Sequence, residues 1–593
     1  MKNRIAAAFA IAGILPVFAF RNQIQWNTSV TDGYFTDAAN WTGVAAAPAN
    51  PDETAVINLN GKTGDYIVRF PQGVTTNYAG IYTLHNSASS SLTIDTTAGA
   101  LYQAPSVYAS NWQGFGFFTE GNNHVFNFEG LGVNRERPIC YFEGGQIKKW
   151  TDSSSRHHVD ILSGYLNSYD PLGENASANQ IILSGARESD ITVHPQATLK
   201  LGKVTLRGGL FDILGGNHIF AGPVILGDSY SGRRPVMRIQ SGVVEHGESV
   251  SLGNRITTPE NRFIVTGDAV YTQSPNCSFT IGNSTNSWSS LDVGGDAKAS
   301  VGKLYMTSVS VESGGELIGE AFSELNVTNN AELTIQGLSE IGYKKASDPA
   351  KFTIGDNAKV TANGTMSIAR ANAGSRGLLT VKDSGTFTTQ SGLYIGALGK
   401  LSLEENAVYN VNCSLDVDGD GATMTVKDNA SLKMDTSLPV CHKLTVKFGG
   451  RLELQGGSSD LTYLELANST DSQTNVCIVS GGYHAGDMDE SGRYVPLTVG
   501  QQDSHCLFEM TGGTMVLPRI VRVGYNTTGS GSAVIRMKGG FMDIVPENVT
   551  SGSCVLNVSD STKSEGRLEL LGGTIRAQSV RGWTGSLAKG GSG

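Results

Sequence analysis

Short segments in which apolar and polar residues alternate recur along the chain, and each ends in a turn of Gly, Asn or Asp. Apolar residues at positions i and i+2 lie on one face of a β-strand, so each segment presents one face to a core. Gly, Asn and Asp tolerate the left-handed backbone of a tight corner. The average spacing is about 23 residues over nine segments, which begin at Phe263, Leu291, Val309, Leu325, Phe352, Leu379, Leu401, Met424 and Leu444.

Two further patterns repeat with the strands. An apolar-x-apolar-x-Gly-Gly form occurs toward the C-terminus, with its double glycines at Gly481-Gly482, Gly512-Gly513, Gly539-Gly540 and Gly572-Gly573. An aliphatic residue followed by glycine occurs at Leu226-Gly227, Ile281-Gly282, Ile341-Gly342, Ile354-Gly355, Ile395-Gly396, Val499-Gly500 and Val523-Gly524. Both patterns indicate that the same corner is built again and again.

A repeat of 20 to 30 residues is typical of a solenoid, whereas a β-propeller needs about 40 residues or more for each blade. Amphipathic helical patterns are nearly absent, which disfavours helical repeats. We therefore predict an all-β fold, a parallel β-helix whose stacked coils bury an inner column of aliphatic and aromatic residues. Several stacked β-sandwich domains remain the alternative, although no linker composition separates domains after residue 60.

The charge composition of the chain bears on whether it could bind nucleic acid. The 593 residues include 44 Lys and Arg and 54 Asp and Glu, which gives a formal net charge of −10. Only 17% of the residues are charged, against about 25% in an ordinary soluble domain. A charge-poor, mildly acidic chain does not favour the basic face that neutralises phosphates, so we predict no nucleic-acid partner.

The first residues are typical of an export signal. Lys2 and Arg4 precede an uncharged run from residue 5 to residue 18, and Ala19 ends a small-residue cleavage pattern. We expect a signal peptide over 1–19, an N-terminal cap over 20–60, a parallel β-helix over 61–583 and a flexible tail over 584–593. The predicted location is extracellular or at the cell surface, and the segment is not expected to be an integral membrane protein. An uncleaved N-terminal anchor is the alternative, although the run is short for a bilayer span.

Seven cysteines are spread over the chain without any Cys-x-x-Cys pair, so neither a zinc ribbon nor a redox pair is indicated. Their odd number prevents complete pairing within one chain. We expect small buried core residues, with disulfides as the alternative that export would permit.

Residues 26–59 differ from the repeats. Their core reads Phe35-x-Asp37-x-x-Asn40-Trp41-x-Gly43, followed by Pro48, Asp52, Ala55 and Ile57. This opening resembles that of secreted bacterial β-solenoids, namely autotransporter-passenger-like proteins and exported proteins with a C-terminal Pro-Glu-Pro sorting tail (PEP-CTERM). The resemblance covers the opening closely and the repeats loosely.

The resemblance implies a right-handed parallel β-helix at the cell surface that serves as an adhesin, a spacer or a matrix component. No sorting tail follows Trp583, so the means of anchoring stays open. Trp26 and Trp41 are expected to cover the first coil, because a solenoid needs a distinct end cap. The alternative is that these tryptophans stack on a sugar.

Candidate catalytic residues are few. Arg233 and Arg238 stand in an Arg-x-Pro-x-x-Arg string that is similar to one in pectate lyases, but the lyases' Trp-x-Asp-His partner is missing and a basic turn explains the string better. No adjacent Asp-Asp pair of a pectin-type glycosidase occurs.

His157 and His158 are adjacent and should point to opposite sides of a strand, which disfavours a shared metal. The aromatic stretch 111–118 is expected to be a packed coil rather than a glycan platform.

We therefore expect a surface structural or adhesive module without catalysis. Its partners would be an extracellular polysaccharide or a host or cell surface. The alternative is a carbohydrate-active β-helix, a lyase or hydrolase of acidic polysaccharide.

Calcium is the one candidate cofactor. Alternating carboxylates ahead of a glycine can turn several oxygens onto one cation. Both candidate runs lack the acidic twelfth residue of the helix-flanked calcium loop, and neither is flanked by helices. The alternative is an acidic solvated turn. The candidate ligands are Asp416, Asp418 and Asp420 in one run and Asp487 and Asp489 in the other.

Overall fold

The structure is a computed structural model in which most of the described residues belong to short β-strands. No α-helix occurs in this described part, where the single helical element is the 3₁₀ turn η1 (Ala38–Asn40). The described residues are 22–49, 53–72, 80–85, 87–103, 114–118, 124–129, 140–168, 180–184, 189–227, 234–254, 260–283, 287–313, 316–370, 373–434, 443–461, 463–467, 473–486, 496–501, 504–525, 531–545, 554–559, 565–582 and 586–589. The predicted signal peptide lies outside them.

The chain divides into two compact units. The first is Met1–Leu226 with Arg233–Met237 and Gly242–Val244, and the second is Gly227–Gly232, Arg238–Ser241 and Glu245–Gly593. The strands of the first unit are β1 (Asn22–Gln25), β2 (Asp32–Tyr34), β3 (Glu53–Asn58), β4 (Gly64–Arg69), β5 (Gly80–Leu84), β6 (Ser90–Asp95), β7 (Ala100–Gln103), β8 (Gly114–Phe118), β9 (His124–Glu129), β10 (Cys140–Glu143), β11 (Gln146–Thr151), β12 (His157–Asn167), β13 (Gln180–Ser184), β14 (Asp190–Leu201), β15 (Lys203–Ile213), β16 (Asn217–Phe220) and β17 (Val224–Leu226).

Strands β18 (Pro235–Ile239) and β19 (Val243–His246) contain residues of both units. The second unit continues with β20 (Val250–Leu252), β21 (Asn261–Val265), β22 (Val270–Gln273), β23 (Ser278–Ile281), β24 (Trp288–Val293), β25 (Lys298–Val301), β26 (Lys303–Met306), β27 (Val309–Ser313), β28 (Glu316–Val327), β29 (Glu332–Ile335), β30 (Ser339–Ile341), β31 (Ala350–Ile354), β32 (Lys359–Ala362), β33 (Met366–Ile368), β34 (Gly377–Val381), β35 (Thr386–Thr389), β36 (Leu393–Ile395), β37 (Gly399–Leu403), β38 (Val408–Val411), β39 (Leu415–Asp418) and β40 (Thr423–Val426).

The remaining strands of the second unit are β41 (Ser431–Met434), β42 (Leu444–Lys447), β43 (Arg451–Leu454), β44 (Ser458–Leu461), β45 (Leu464–Ala467), β46 (Thr474–Val479), β47 (Tyr483–Gly486), β48 (Leu497–Gln501), β49 (His505–Met510), β50 (Thr514–Val516), β51 (Ile520–Tyr525), β52 (Ser532–Asp543), β53 (Val555–Val558), β54 (Glu565–Arg576), β55 (Ser579–Gly582) and β56 (Ser586–Lys589).

Most coils of the second unit contribute three short strands, and these strands pair in parallel with their equivalents in the next coil. One such coil is β31, β32 and β33, which pair with β34, β35 and β36 respectively. Side chains alternate between the core and the solvent along each strand, as in the buried Phe352 and Ile354 of β31. The predicted all-β, mostly parallel β-helix is thereby confirmed, while its right-handedness stays a prediction.

The spacing of the coils differs from the predicted repeat. Phe263 and Leu568 belong to one column of residues that lie opposite each other in successive coils. Eleven strand pairings connect them, and each spans 22 to 34 residues of sequence, about 28 on average. The predicted spacing of about 23 residues is too short because two of the nine segments do not belong to this column. Val309 begins β27, which forms an antiparallel hairpin with β28, and Leu444 lies in another column, opposite Leu415 and Leu464.

The predicted double glycines form a ladder at one corner of the second unit. Gly482, Gly513, Gly540 and Gly573 all have φ between 73° and 80°, in the left-handed region. A Cβ atom on Gly482 would lie 2.5 Å from the carbonyl oxygen of Gly457 in the preceding coil. The corner therefore stacks backbone directly on backbone, and glycine is needed there for both its conformation and its lack of a side chain.

The first unit begins with the predicted cap residues. The rings of Trp26 and Trp41 pack edge to face at 5.1 Å, and both side chains are buried. The indole N–H groups donate to the carbonyl oxygens of Val30 and Phe35. The sugar-stacking alternative for these tryptophans is wrong, because a stacked sugar needs an exposed ring face. The strand before them already belongs to the coils, since β1 pairs in parallel with β3.

One coil of the first unit runs in the opposite direction to its neighbours. Strands β9, β10 and β11, here called the reversed coil, pair antiparallel with β8, β7 and β6 on one side. They also pair antiparallel with β13 and β12 on the other side. Parallel pairing is restored between β12 and β14. The sequence predicts parallel coils throughout, and this reversal is the main difference from that prediction.

Candidate functional site

The predicted calcium ligands are only partly within the described residues. Asp416 and Asp418 lie on the outward side of β39, with Asp420 in the turn that follows. Lys447 Nζ lies 3.0 Å from an oxygen of Asp416 and 3.4 Å from an oxygen of Asp418. Burial lowers the pKa of Lys447, but the hydrogen bond to Asp416 and the charges of both aspartates outweigh it, so the pKa is raised.

The second acidic run, with Asp487 and Asp489, lies outside the described residues. Within the described ranges, no three His, Cys, Asp or Glu side chains are grouped so that they could hold a metal ion. Calcium at either run therefore stays a prediction.

Other sequence candidates are placed as follows. Arg233 lies outside the described residues, and Arg238 is in β18. Of the aromatic stretch 111–118, residues 114–118 form β8. Among the cysteines whose side chains are described, those at 277, 477, 506 and 554 are free thiols, and Cys413 is buried.

An open groove with a volume of about 860 Å³ lies on the outward side of the first unit. It runs across the reversed coil at β10 and across the strands beside it, β7, β12 and β14. Its lining is polar and mostly uncharged: Gln72, Thr97, Ala98, Gly99, Ala100, Glu143, Gly144, Ser163, Gly164, Tyr165, Gln196 and Thr198.

Gly99, Gly144 and Gly164 line the floor of the groove, and at Gly164 and the adjacent Gly145 the coils approach too closely for side chains. A Cβ atom on Gly145 would lie 2.0 Å from the carbonyl oxygen of Ser163, and one on Gly164 would lie 2.7 Å from that of Glu143. Thr96 fixes the same corner, since its hydroxyl group donates to the carbonyl oxygen of Gly145 at 3.0 Å. The reversal of the chain thus produces a shallow, backbone-lined surface rather than a ridge of side chains.

Two tyrosines stand beside this floor. Tyr165 lines the groove, and its ring packs edge to face on Tyr141 with the centroids 5.5 Å apart. Tyr165 is opposite Glu143 in the antiparallel pairing of β12 with β10. Burial, followed by the neighbouring Tyr165, raises the pKa of Tyr141 to about 12. The phenol of Tyr141 therefore keeps its O–H group at neutral pH and can donate a hydrogen bond.

A network of titratable side chains lies on the outward side of β11, β12 and β14. The Trp150 indole stacks on the His158 ring at 4.1 Å between centroids and 22° between planes. Its N–H group donates to Asp160 Oδ2 at 2.6 Å, and His194 Nε2 lies 3.2 Å from Asp160 Oδ1. Both carboxylate oxygens of Asp160 are therefore engaged by ring nitrogens.

His158 lies between two further carboxylates. Its Nδ1 is 2.7 Å from Asp190 Oδ1, and its Nε2 is 3.4 Å from Asp152 Oδ2. Asp152 also accepts backbone N–H groups of Ser154 and Arg156 in the β11–β12 turn, and these hydrogen bonds lower its pKa. The pKa of Asp190 is raised, chiefly by burial, with the charges of Asp160 and Asp212 acting in the same direction.

This network, here called the Trp150 network, continues the groove along two strands. On β14, His194 precedes the groove residues Gln196 and Thr198 in the sequence. On β12, Asp160 precedes Ser163 and Tyr165. The groove and the network are therefore neighbouring parts of one outward surface of the first unit.

Beneath the Trp150 network, the core contains ionisable groups instead of the usual aliphatic residues. Lys149 is fully buried and its ammonium group donates to the carbonyl oxygen of His85. His157 points inward, opposite to His158, as the sequence predicts, and its ring lies 3.2 Å from the hydroxyl oxygen of Thr151. Burial lowers the pKa of Lys149 to about 7 and the pKa values of His85 and His157 to about 4.

The sequence did signal part of this surface. The His157-His158 pair is visible in the sequence, but its partners come from β11, from β14 and from the β11–β12 turn, and alternation does not reveal the direction in which these strands pair. The signal that was missed is Lys149, a lysine at an inward position between Ile147 and Thr151. An ionisable residue in a core position indicates an unusual neighbourhood on both sides of its strand.

The described part of the chain contains no helix that is long and apolar enough to cross a membrane. Comparison with family models, with curated proteins and with solved structures finds no match to this chain.

Proposed function

We propose that this chain is an exported or cell-surface β-solenoid that binds a neutral polysaccharide in the groove of its first unit. The observation that carries the proposal is the Tyr141–Tyr165 pair beside a polar groove of about 860 Å³. Aromatic rings with a polar edge offer an apolar face and a hydrogen bond at once, which suits the two kinds of surface on a sugar ring. The volume is within the range of about 300–1,000 Å³ that is usual for ligand sites.

The lining favours a neutral ligand. Among the described residues that line the groove, Glu143 alone carries a charge, and its carboxylate would repel the acid groups of a uronic-acid polymer. Gln196 and Thr198 are exposed at the same edge and supply uncharged donors and acceptors. A neutral polysaccharide fits this set better than the acidic polysaccharide considered from the sequence.

The remaining coils support a structural role. Each coil contacts its neighbours through parallel strand pairing, so a long array can carry a binding surface without a large globular core. Outward amides are paired from coil to coil, as in Asn363 with Gln336 and Asn412 with Gln390, both at 2.9 Å. Such an array is suited to holding a ligand site away from the surface to which the protein is attached. Export is supported by the sequence pattern of residues 1–19.

A glycan array followed by calorimetry tests the proposal. We expect the purified protein to bind neutral polysaccharides such as xylan, mannan or mixed-linkage β-glucan more tightly than polygalacturonate. Tyr165→Ala should weaken that binding at least tenfold, because stacking on one aromatic ring contributes on the order of 1 kcal/mol or more.

The second unit supplies a matched control. Tyr305 and Tyr343 form a similar edge-to-face pair, with centroids 5.9 Å apart and with Glu340 nearby, but they do not line the groove. Tyr343→Ala should leave the affinity unchanged. Equal losses in the two variants, or binding only to polygalacturonate, would contradict the proposal.

A further inference from the structure

The Trp150 network contains two carboxyl groups that the binding of a polysaccharide does not require. Asp160 and Asp190 lie on neighbouring strands, and their side chains are 21% and 25% exposed. Both therefore reach solvent on the surface that continues the groove. Their surroundings differ in a way that assigns them different chemistry.

Both oxygens of Asp160 are held by ring nitrogens. The indole N–H group of Trp150 donates to one of its oxygens at 2.6 Å, and His194 Nε2 lies 3.2 Å from the other. An ionised carboxylate with fixed orientation is suited to accept a proton from a water molecule.

Asp190 has different surroundings. Its Oδ1 is paired with His158, and its surroundings include the charged Asp160 and Asp212 and the apolar Leu210, which is opposite Asp190 in β15. Burial and the two like charges raise the pKa of Asp190, although the hydrogen bond and the charge of His158 act in the opposite direction. A carboxyl group that holds its proton can donate it to a leaving oxygen.

The register of the strands sets the distance between these groups. His158 is opposite Asp190, and Asp160 is opposite Thr192. Asp160 and Asp190 are thus one strand and two residues apart on the same face, which places their Cβ atoms about 8 Å from each other. Inverting glycoside hydrolysis uses two carboxyl groups about 6.5–9.5 Å apart, which leaves room for the attacking water molecule, and Cβ atoms at the spacing found here allow such a pair.

We propose that the first unit hydrolyses glycosidic bonds of the neutral polysaccharide in its groove with inversion at the anomeric carbon, Asp190 acting as the general acid and Asp160 as the general base. This inference rests on the proposed function, because the groove must first hold the chain. Asp190 gives its proton to the glycosidic oxygen as the bond from that oxygen to the anomeric carbon breaks. A water molecule loses a proton to Asp160 while its oxygen forms the new bond to the anomeric carbon. The sum is the addition of one water molecule, and both carboxyl groups return to their initial states through exchange with solvent.

Three neighbours are positioning residues. Trp150 and His194 orient Asp160, and His158 orients Asp190 while it stacks on Trp150. Their rings fix the two carboxyl groups relative to each other, because the stack of Trp150 on His158 connects the residue that holds Asp160 to the residue that holds Asp190. Trp150→Phe keeps most of the ring but removes the N–H donor, so it should reduce turnover less than Asp160→Asn while leaving KM nearly unchanged.

The test measures cleavage and binding separately. Xylan, mannan and mixed-linkage β-glucan are incubated with the full chain, and new reducing ends are counted while calorimetry follows binding. Asp190→Asn and Asp160→Asn should each lower the release of reducing ends at least a hundredfold and leave binding within a factor of about three. Asp292→Asn is the matched control, since that carboxyl is 22% exposed, paired with Arg262 and located in the second unit. It should retain full cleavage.

The outcomes separate the two proposals. Binding to the groove without any new reducing ends in the unmodified protein would overturn the hydrolytic inference and leave the binding function standing. Absence of binding would overturn both. Proton NMR of the first products is a further test. Products that keep the anomeric configuration of the substrate would contradict the assigned roles, and products with the opposite configuration would support them.

Discussion

The ammonium group of Lys149 donates a hydrogen bond to the backbone carbonyl of His85 inside the first unit. Both residues are fully buried, and Lys149 lies on the reversed coil between Ile147 and Thr151. A lysine in this position satisfies a buried backbone carbonyl oxygen. Because burial disfavours the charged form, the pKa of Lys149 falls to about 7.

Replacing Lys149 should therefore change how stability depends on pH. Between pH 7 and 10.5 the unfolded chain binds the lysine proton and the folded chain does not, so the free energy of unfolding rises with pH by up to about 1.4 kcal/mol per unit. Urea unfolding of the first unit at pH 7, 8 and 9 should show this slope. Lys149→Met should lose it, and an unchanged slope would mean that Lys149 is not buried.

Acid should destabilise the same region through two histidines. The pKa values of His85 and His157 fall from 6.5 to about 4 on folding, chiefly because of burial. Their contribution to stability is complete above pH 6.5 and is lost as the pH falls toward 4, by roughly 1.4 kcal/mol per pH unit for each. His157→Gln should be less sensitive than the unmodified protein over that window in urea unfolding. His505→Gln, on an outward position of the second unit, serves as the control.

Alanine in the glycine ladder should be much more destabilising than alanine at an open corner. Gly482 and Gly61 share a left-handed φ, of 80° and 71°, but only Gly482 has backbone of another coil within reach of a Cβ atom. The strain of the left-handed residue, about 1–2 kcal/mol, is thus common to both variants. Gly482→Ala should cost about 1–3 kcal/mol more in thermal or urea unfolding. Equal losses would show that the coils do not stack tightly at this corner.

Calcium should compete with Lys447 for the carboxylates of Asp416 and Asp418. In Lys447→Gln these partly buried groups lose their counter-charge, so excess calcium should raise the free energy of unfolding of this variant by about 1–3 kcal/mol and that of the unmodified protein by less. Adding Asp418→Ala should remove most of the response. If the melting temperature of Lys447→Gln is the same with calcium and with chelator, the carboxylates are polar surface only.

The all-β coil structure was predictable because inward and outward positions alternate so regularly. Phe352, Leu379 and Leu401 were identified as inward starts of strands, and the structure pairs them in register. The repeat length was harder to predict, because loops between equivalent strands vary and the strand at Leu444 has the same local pattern as its neighbours. Alternation also does not reveal the direction of pairing, so the reversed coil could not be deduced.

The candidate surface was less predictable than the fold. Trp150, His158 and Asp190 are distant in the sequence and meet only because β11, β12 and β14 are neighbours. The predicted contrast between His157 and His158 is confirmed by their placement on opposite sides of β12. The groove depends on glycines at the corners, and nothing local distinguishes Gly145 and Gly164 from other turn glycines.

Hydrogen exchange in the presence of a bound oligosaccharide tests most directly whether the groove of the reversed coil is the binding site. The ligand is the neutral oligosaccharide that binds most tightly in the glycan array, and exchange is followed with and without it at saturating concentration. Slower exchange should be confined to residues 96–100, 140–145, 163–167 and 194–200, and Tyr165→Ala should abolish it. Protection confined to the second unit, or protection that survives in Tyr165→Ala, would contradict a polysaccharide site in this groove.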